Sequence, residues 1–481
     1  PVIEATDISD EKESVYYPSI STSAKDGKTG DHVGTVGKTT IVDTVSYTNL
    51  KIGQEYTISG KLMDKDTKDV FLVDGKEVTA SVTFKAEKKN GTVDLVYTLD
   101  ASALEGKTLV VFEDLLHKKL NVASHHDISD EEQSVHYPKI RTTATDTNTK
   151  DHVGVSTENG TIVDTVAYKN LVPGKNYTLK GTLMDKDTKE AIMQDGKAVT
   201  AETSFTPSKA SGTVDITFTL DTSVLEGKTI VAFEKLFHNK VEVTSHEDIS
   251  DEGQSVKIPQ IHTTATDSQT KDKEGVISEE TKLTDMVSYK NLLPGKEYTV
   301  KGTVMVKTED SVTAALDKDG NPVESELTFT AEEEDGKVSL DFVLDTTKLT
   351  GKDVVVFEDL YYKNTKLTSH ADKDDEGQTV HYPEIHTTNV DQSSGDHQGT
   401  VSKDTTLVDT VAYKNLIPGH EYTVTGTLMK KVPVEKTEVS DKKEDSDKKE
   451  EQSEDADKAE TDKEDSNKEE SGKTDSGTED V

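Results

Sequence analysis

The chain has 481 residues, of which 31% are hydrophobic, and its formal net charge is −38. A surface this acidic excludes nucleic acid and anionic membranes as partners, because both require basic protein surfaces. The absence of cysteine excludes disulfides, thiol catalysis and thiolate metal sites, and no apolar run is long enough to span a bilayer.

A repeat of about 120 residues organises the chain. The block TIVDTVSYTNL, which begins at Thr40, returns in slightly changed form from Thr161, Lys282 and Thr406. A second block reads LVVFEDL, IVAFEKL and VVVFEDL, and its glutamates keep the same spacing. The chain begins at Pro1 with neither an initiator methionine nor a signal peptide, so we expect an interior fragment of a longer protein.

The spacing divides the chain into six parts. These are the tail of a preceding degenerate copy in residues 1–17, complete copies in residues 18–138, 139–259 and 260–383, a truncated fourth copy in residues 384–430, and a spacer rich in Lys, Asp, Glu and Ser in residues 431–481. The spacer has too little apolar surface to fold, so we predict a disordered acidic tail.

Within a copy, the residues alternate between apolar and polar with the period of a β-strand. The stretch from Ser81 to Asp100 predicts two strands around an Asn-Gly turn, and YKNLVPGKNYT predicts a strand, a Pro-Gly turn and a strand. Amphipathic helical stretches are nearly missing. The sequence therefore predicts an all-β protein of tandem immunoglobulin-like β-sandwich domains arranged in a rod.

Two acids recur on strands that otherwise carry apolar residues. Asp43 shares one face of its strand with Ile41 and Val45, and Glu113 lies on a strand that is apolar on both faces. Because a lone buried carboxylate is costly, such groups pair or stay protonated. Two carboxyls held close together would share a proton and titrate as a unit.

Each complete copy also ends in an acidic loop with one histidine eight residues before one glutamine. The loop reads SHHDISDEEQSVHYP from Ser124, SHEDISDEGQSVKIP from Ser245 and SHADKDDEGQTVHYP from Ser369. The next copy then opens with a threonine two residues after an isoleucine, as in IRT and IHT.

These blocks, taken with the HxDxxDxxQ loop, resemble VaFE repeats, the Thr–Gln ester-bond domains of Gram-positive surface adhesins and fibre proteins. The resemblance covers residues 18–430. It implies that a threonine hydroxyl attacks a glutamine carboxamide, releases ammonia and leaves an intramolecular ester, helped by a histidine and two acids. The reaction acts once on the chain itself, so we expect no enzyme with turnover, no cofactor and no metal.

The resemblance assigns a threonine, two acids, a histidine and a glutamine to each complete copy. They are Thr22, Asp43, Glu113, His125 and Gln133 in the first copy, Thr142, Asp164, Glu234, His246 and Gln254 in the second, and Thr263, Asp285, Glu358, His370 and Gln378 in the third. A threonine needs a base such as histidine, and a protonated acid can polarise the carboxamide. The roles within each acid pair stay open, and Thr143 and Thr264 are rival nucleophiles.

The incomplete copies lack this set. In EATDISDEKESVYYP, from Glu4, Ala5 takes the histidine position and Glu13 the glutamine position. The truncated copy keeps Thr387 and Asp409 without a glutamate, histidine or glutamine to match. We therefore predict three bonds.

The resemblance also implies a place and a role. It implies an extracellular stalk on the cell-wall-anchored surface of a Gram-positive bacterium, whose esters carry mechanical load. It implies covalent attachment to peptidoglycan through a C-terminal region, and a host or matrix ligand bound by a tip region, both outside this chain. The alternatives are an isopeptide-type domain, for which Lys107, Lys228 and Lys352 recur, and an uncross-linked β-sandwich module that itself binds a host or matrix ligand.

Overall fold

The structure is a computed structural model, and it describes residues 12–432. These residues form strands, turns and two short 3₁₀ helices, with no α-helix among them. The prediction of an all-β chain of tandem sandwich domains is therefore confirmed. The predicted disordered tail beyond residue 432, and residues 1–11 of the degenerate copy, lie outside the described residues. Within residues 12–432 no helix is long and apolar enough to cross a membrane.

Repeat 1, residues 18–138, packs two antiparallel sheets against one hydrophobic core. One sheet has the order β1-β2-β7, and the other has the order β10-β8-β3-β6. The strand β9 also pairs with β8, along the same edge as β10. The strands are β1 (Ser19–Asp26), β2 (Lys38–Thr48), β3 (Glu55–Asp64), β4 (Leu72–Val73), β5 (Lys76–Glu77), β6 (Thr79–Lys85), β7 (Gly91–Asp100), β8 (Thr108–His117), β9 (Leu120–His125) and β10 (Ser134–His136).

Repeat 2, residues 139–259, and repeat 3, residues 260–383, have the same two-sheet arrangement. Repeat 2 contains β11 (Lys139–Asp146), β12 (Gly160–Lys169), β13 (Tyr177–Asp185), β14 (Met193–Gln194), β15 (Lys197–Ala198), β16 (Thr200–Phe205), β17 (Gly212–Leu220), β18 (Thr229–His238), β19 (Val241–His246) and β20 (Ser255–Lys257), with 3₁₀ turns at Ser223–Leu225 and Glu252–Gln254. Repeat 3 contains β21 (Gln260–Asp267), β22 (Thr281–Lys290), β23 (Glu297–Lys307), β24 (Val312–Ala314), β25 (Glu324–Thr330), β26 (Gly336–Leu344), β27 (Asp353–Tyr362), β28 (Thr365–His370) and β29 (Thr379–His381).

The fourth copy forms a single hairpin within the described residues. Its strands are β30 (Glu384–Asp391) and β31 (Leu407–Lys414), which pair only with each other. Among the described residues no second sheet covers these two strands, and most of their side chains are exposed.

The alternation of side chains along a strand decides which groups the sandwich buries. In β2 every second residue is buried, so Ile41, Asp43 and Val45 face the core together. In β8 the residues from Thr108 to Val111 are all buried, because β8 lies in the middle of its sheet and is covered on both faces. A one-residue shift of register would move the whole buried set of β2 to solvent.

An asparagine in the left-handed conformation fastens each repeat to the one before it. Asn170, with φ of 62°, donates from Nδ2 to the backbone oxygens of Lys107 at 2.7 Å and Tyr137 at 3.2 Å. Asn291 and Asn415 make the corresponding contacts with repeats 2 and 3. These bonds satisfy carbonyls at the junction, where one repeat's last strand leads into the next repeat's first.

A loop between the first two strands adds a second contact between neighbouring repeats. Val33 of repeat 1 packs in the hydrophobic core of repeat 2, and Val153 of repeat 2 packs in that of repeat 3. Beside Val33, Asp31 accepts a hydrogen bond at 2.8 Å from Nε2 of His238, which is buried. Neighbouring repeats are therefore packed together and are not merely joined by a linker.

Candidate functional site

The predicted site of repeat 1 lies where the two sheets meet. Asp43 lies on β2 opposite Ala24 of β1, and Glu113 lies on β8 opposite His125 of β9. Gln133 stands just before β10, in the gap that β9 and β10 leave along one edge of β8, and its carbonyl accepts a hydrogen bond from the amide of Val111 at 3.1 Å.

The first strand is tied directly to the loop that ends at the glutamine. The amide of Ala24 donates to the carbonyl of Glu132 at 2.8 Å, and in repeat 3 the amide of Ala265 donates to Gly377 at 3.1 Å. The acceptor is in each case the residue before the glutamine. These bonds bring the threonine's strand and the glutamine's loop together, although they belong to different sheets.

In all three complete repeats the threonine, the two acids and the glutamine are buried. Thr22, Thr142 and Thr263 are 8%, 6% and 0% exposed, and each glutamine is 0% exposed. The rival threonines, Thr143 and Thr264, are exposed, because they follow on the opposite face of the strand. The structure therefore places the first threonine of each pair, and not the second, beside the buried acids.

The glutamine carboxamide contacts the buried glutamate in every complete repeat. Nε2 of Gln133 lies 2.8 Å from Oε2 of Glu113, and Nε2 of Gln254 lies 3.0 Å from Oε2 of Glu234. A second bond, to a carbonyl of the glutamate's own strand, fixes each of these two carboxamides.

Repeat 3 brings all three groups into one cluster. Nε2 of Gln378 lies 2.6 Å from Oγ1 of Thr263 and 2.5 Å from Oε2 of Glu358. The threonine hydroxyl in turn donates to Oε2 of Glu358 at 3.0 Å. The hydroxyl and the carboxamide that the sequence predicted to react are thus in direct contact.

The glutamates hold a proton at neutral pH. Burial, reinforced by the negative charge of Asp43, raises the pKa of Glu113 to about 10. The same two causes raise the pKa of Glu234 and of Glu358 to about 10. Burial also raises the pKa of each partner aspartate. Each pair therefore titrates as a unit and shares one proton across the neutral range.

An aromatic ring covers the acid pair, and a glycine makes room for it. Gly181 lies opposite Glu234 in the sheet, and a Cβ there would meet the ring of Phe218 at 2.4 Å. Gly302 and Phe342 repeat this arrangement in repeat 3, and Gly60 and Tyr97 do so in repeat 1. The carboxyls are buried in this part of the core, and that burial raises their pKa.

Each predicted histidine has an aspartate partner that the sequence analysis did not identify. Nε2 of His125 lies 3.0 Å from Asp130, and the pairs His246–Asp251 and His370–Asp375 are 3.3 and 3.0 Å apart. The second aspartate of the HxDxxDxxQ pattern was the available signal, because it recurs five residues after each histidine. An acid at this place orients the imidazole.

Within residues 12–432, neither the incomplete copies nor the recurring lysines form a comparable cluster. Thr387 and Asp409 are exposed on the hairpin of the fourth copy. Ala5 lies outside the described residues, while Glu13 is exposed. Lys107 and Lys228 are both 45% exposed and form ion pairs with Asp64 and Asp185, as expected of surface residues.

Comparison with known proteins gives one clear match. A protein family described as T-Q ester bond containing domain matches residues 18–137, 138–258, 259–382 and 383–479, the last match running beyond the described residues. Among curated proteins, no sequence matches the chain.

Similar solved structures include two bacterial proteins. One is a bacterial adhesin from Mobiluncus mulieris containing intramolecular disulfide, isopeptide and ester bond cross-links, with 15% identity over 55% of this chain and 89% of the other, and a TM-score of 0.25. The other is the C-terminal domain of the AgI/II polypeptide BspA from Streptococcus agalactiae, with 11% identity over 48% of this chain and 97% of the other, and a TM-score of 0.25. At TM-scores this low, these similarities support no inference about this chain.

Proposed function

Because the chain belongs to the family of T-Q ester bond containing domains, we propose that repeats 1, 2 and 3 each form one intramolecular Thr–Gln ester, and that the chain is a stalk of a bacterial surface adhesin. The observation that carries the proposal is the cluster in repeat 3. There, the carboxamide of Gln378 lies between the hydroxyl of Thr263 at 2.6 Å and the carboxyl of Glu358 at 2.5 Å.

The neutral glutamate activates the carboxamide. Rotating the carboxamide of Gln133 by a half turn exchanges Nε2 and Oε1, which places the oxygen against Oε2 of Glu113. The protonated glutamate then donates to that oxygen and stabilises the negative charge that develops when the hydroxyl attacks. The contact is effective because the site is dry and both groups are fully buried.

The histidine transfers the hydroxyl proton, and the aspartate of the acid pair shares the proton of the glutamate. The threonine Oγ1 bonds to the glutamine Cδ, the Cδ–Nε2 bond breaks, and the hydroxyl proton leaves with the nitrogen as ammonia. His125, held by Asp130, is the base that accepts the hydroxyl proton and delivers it to the leaving nitrogen. Asp43 shares the proton of Glu113 and keeps the pair singly charged. One hydroxyl and one carboxamide give one ester and one ammonia, with no external reagent.

The bond joins the two sheets at the ends of the repeat. Thr22 lies on the first strand and Gln133 precedes the last, and only β10 and the start of β11 separate Gln133 from Thr142. Force applied along the chain would therefore pass from ester to ester and bypass the body of each sandwich. In the unfolded chain, a closed loop of about 110 residues restricts conformations by about 5 kcal/mol.

This role is consistent with a cysteine-free chain outside the cell. We place the protein on the cell-wall-anchored surface of a Gram-positive bacterium, attached to peptidoglycan through a C-terminal region and carrying a tip that binds a host or matrix ligand. The reaction runs once per repeat and makes the protein self-cross-linking without making it an enzyme. Surface labelling of intact cells with an antibody against repeats 1–3, before and after cell-wall digestion, tests this placement.

The intact mass of the unfolded chain tests the bonds. Three esters predict a deficit of three ammonias from the mass calculated from the sequence. Hydroxylamine at mildly alkaline pH should then open all three, since it cleaves esters and leaves isopeptide bonds intact. A deficit that resists hydroxylamine would indicate isopeptide bonds, and a mass with no deficit would indicate an uncross-linked module.

A further inference from the structure

Repeat 3 contains a cluster of three potential metal ligands beside the proposed ester site. His262, His370 and Asp375 each offer one ligand atom, and these atoms lie within 4.8 Å of one another. They come from three separate parts of the fold, namely β21, the end of β28 and the loop that leads to Gln378. Among residues 12–432 no other group of three such side chains meets this spacing.

Two members of the cluster are common to the complete repeats, and the third is not. The histidine–aspartate pair recurs in all three, at 3.0 to 3.3 Å. The position opposite this pair on the first strand, immediately before the reactive threonine, is Ser21 in repeat 1, Arg141 in repeat 2 and His262 in repeat 3. Serine leaves an incomplete ligand set, and the arginine cation repels a metal ion. Repeats 1 and 2 are therefore internal controls for metal binding by repeat 3.

The donor set suits one class of ion. Two imidazole nitrogens and one carboxylate oxygen suit Zn²⁺ better than they suit Ca²⁺ or Mg²⁺, because these hard cations prefer oxygen ligands. Zn²⁺ binds such atoms at about 2.0–2.2 Å and keeps a fourth, open position for water when the protein supplies three ligands. His370 and Asp375 are already in contact through Nε2 and Oδ2, and the exposed His262 can turn its ring to complete the site.

The surroundings admit a cation. His262 and His370 both line an open surface cavity of about 480 Å³, so an ion can reach the cluster from solvent. The loop that carries Asp375 also contains Asp372, Asp374 and Glu376; against these acids stand its own Lys373, which forms an ion pair with Asp374 at 2.9 Å, and Lys273, whose Nζ donates to the carbonyl of Gly377. The excess of negative charge raises the local concentration of cations.

We propose that repeat 3, and neither of the other complete repeats, binds one divalent transition-metal ion of the Zn²⁺ class through His262, His370 and Asp375. This assignment replaces the expectation of a metal-free chain. It has a consequence that rests on the proposed function: a metal on Nε2 of His370 separates it from Asp375 and occupies the imidazole that would carry the proton. Zn²⁺ should therefore delay the third bond while the first two form normally.

Zinc binding to the full chain tests the proposal. The wild-type chain and the His262→Ser variant, which copies repeat 1, are titrated with Zn²⁺ by calorimetry and with Co²⁺ by visible absorption. We expect the wild type to bind one more ion than the variant, or the variant's affinity at this site to fall at least about tenfold. Identical isotherms and identical Co²⁺ spectra would overturn the proposal.

The converse variant, Ser21→His, should add a zinc site to repeat 1. The exposed position of Ser21 makes loss of folding an implausible explanation for any change. If Ser21→His added no site, three side chains in this arrangement would not suffice, and the proposal would fail. These counts do not depend on ester formation, so they separate this proposal from the proposed function. A chain without any mass deficit would refute the esters and leave the zinc result standing.

Discussion

Replacing Thr142 by valine removes one oxygen atom and keeps the shape of the side chain. Thr142 is 6% exposed, and its Oγ1 faces the carboxyls of Asp164 and Glu234 without a well-formed hydrogen bond to either. The substitution therefore removes at most a weak polar contact from the uncross-linked fold. It also ends the burial of an unpaired hydroxyl, which costs free energy. Any loss of stability in Thr142→Val must therefore come from the missing bond.

The size of that loss follows from the loop that the ester closes. The segment between Thr142 and Gln254 has about 110 residues, and closing it removes about 5 kcal/mol of conformational freedom from the unfolded chain. We expect the free energy of unfolding of repeat 2 to fall by about this amount in Thr142→Val. The mass deficit should fall from three ammonias to two, because repeats 1 and 3 keep their own threonines.

Thr143→Val is the matched control. It makes the same chemical change one residue later, on the exposed face of the same strand, and should keep all three bonds. Intact mass counts the bonds, and hydrogen exchange of the buried amides of repeat 2 in mild denaturant measures its stability. Loss of a bond in Thr143→Val, or three ammonias still missing in Thr142→Val, would refute the assignment of the nucleophile.

Four further predictions concern the acids, the pH dependence of bond formation, the pH dependence of stability, and the junctions. Glu234→Gln removes the carboxyl proton donor and should slow the formation of the bond in repeat 2 by about 10²–10³-fold. A full mass deficit soon after folding would contradict this role. Bond formation in chain isolated unfolded from inclusion bodies, and therefore not yet cross-linked, should slow after refolding as the pH approaches about 10, because the raised pKa of Glu113 means that its proton is lost there. Samples returned to neutral pH should then resume the reaction, and a rate that is flat up to this pH would contradict a neutral glutamate. For the same reason the uncross-linked fold should lose stability as the pH rises from the ordinary glutamate pKa toward about 10, since only the unfolded chain ionises this group freely. Asn170→Gly keeps the left-handed backbone but deletes the hydrogen bonds to Lys107 and Tyr137. Hydrogen exchange should therefore rise at the junction of repeats 1 and 2, while the mass deficit stays at three ammonias. Unchanged exchange would show that the contact does not hold the junction.

Much of the architecture could be read from the sequence, because it depends on local patterns. Period-2 alternation and turn residues predicted the strands, and the recurring blocks predicted the tandem domains, since a repeated pattern must fold repeatedly. The alternation also indicated that Asp43 faces the core, because Ile41 and Val45 lie on the same face of the strand.

The choice between adjacent threonines could not be derived from alternation alone. Thr142 and Thr143 differ only in the face they occupy, and either face could be the buried one until the sheets are packed. The first threonine of each pair was the predicted nucleophile because repeat 1 has serine at the second position. In the structure the first threonine is buried, since β11 packs that face toward the loop carrying Gln254.

Other features depended on contacts between distant segments. Asp130 is five residues from His125, but its pairing with the imidazole depends on how the loop folds over the edge of β8. The contact of Asn170 with Lys107 joins two repeats, and the meeting of His262 with His370 and Asp375 joins three segments of one repeat. The residue types, their period and the alternation of side chains between the two faces of a strand are readable from the sequence, because they follow from backbone geometry. Which face is buried, and which side chains share a proton, a hydrogen bond or a potential metal ion, depends on packing, because those interactions need distances of a few ångströms between segments far apart in the chain.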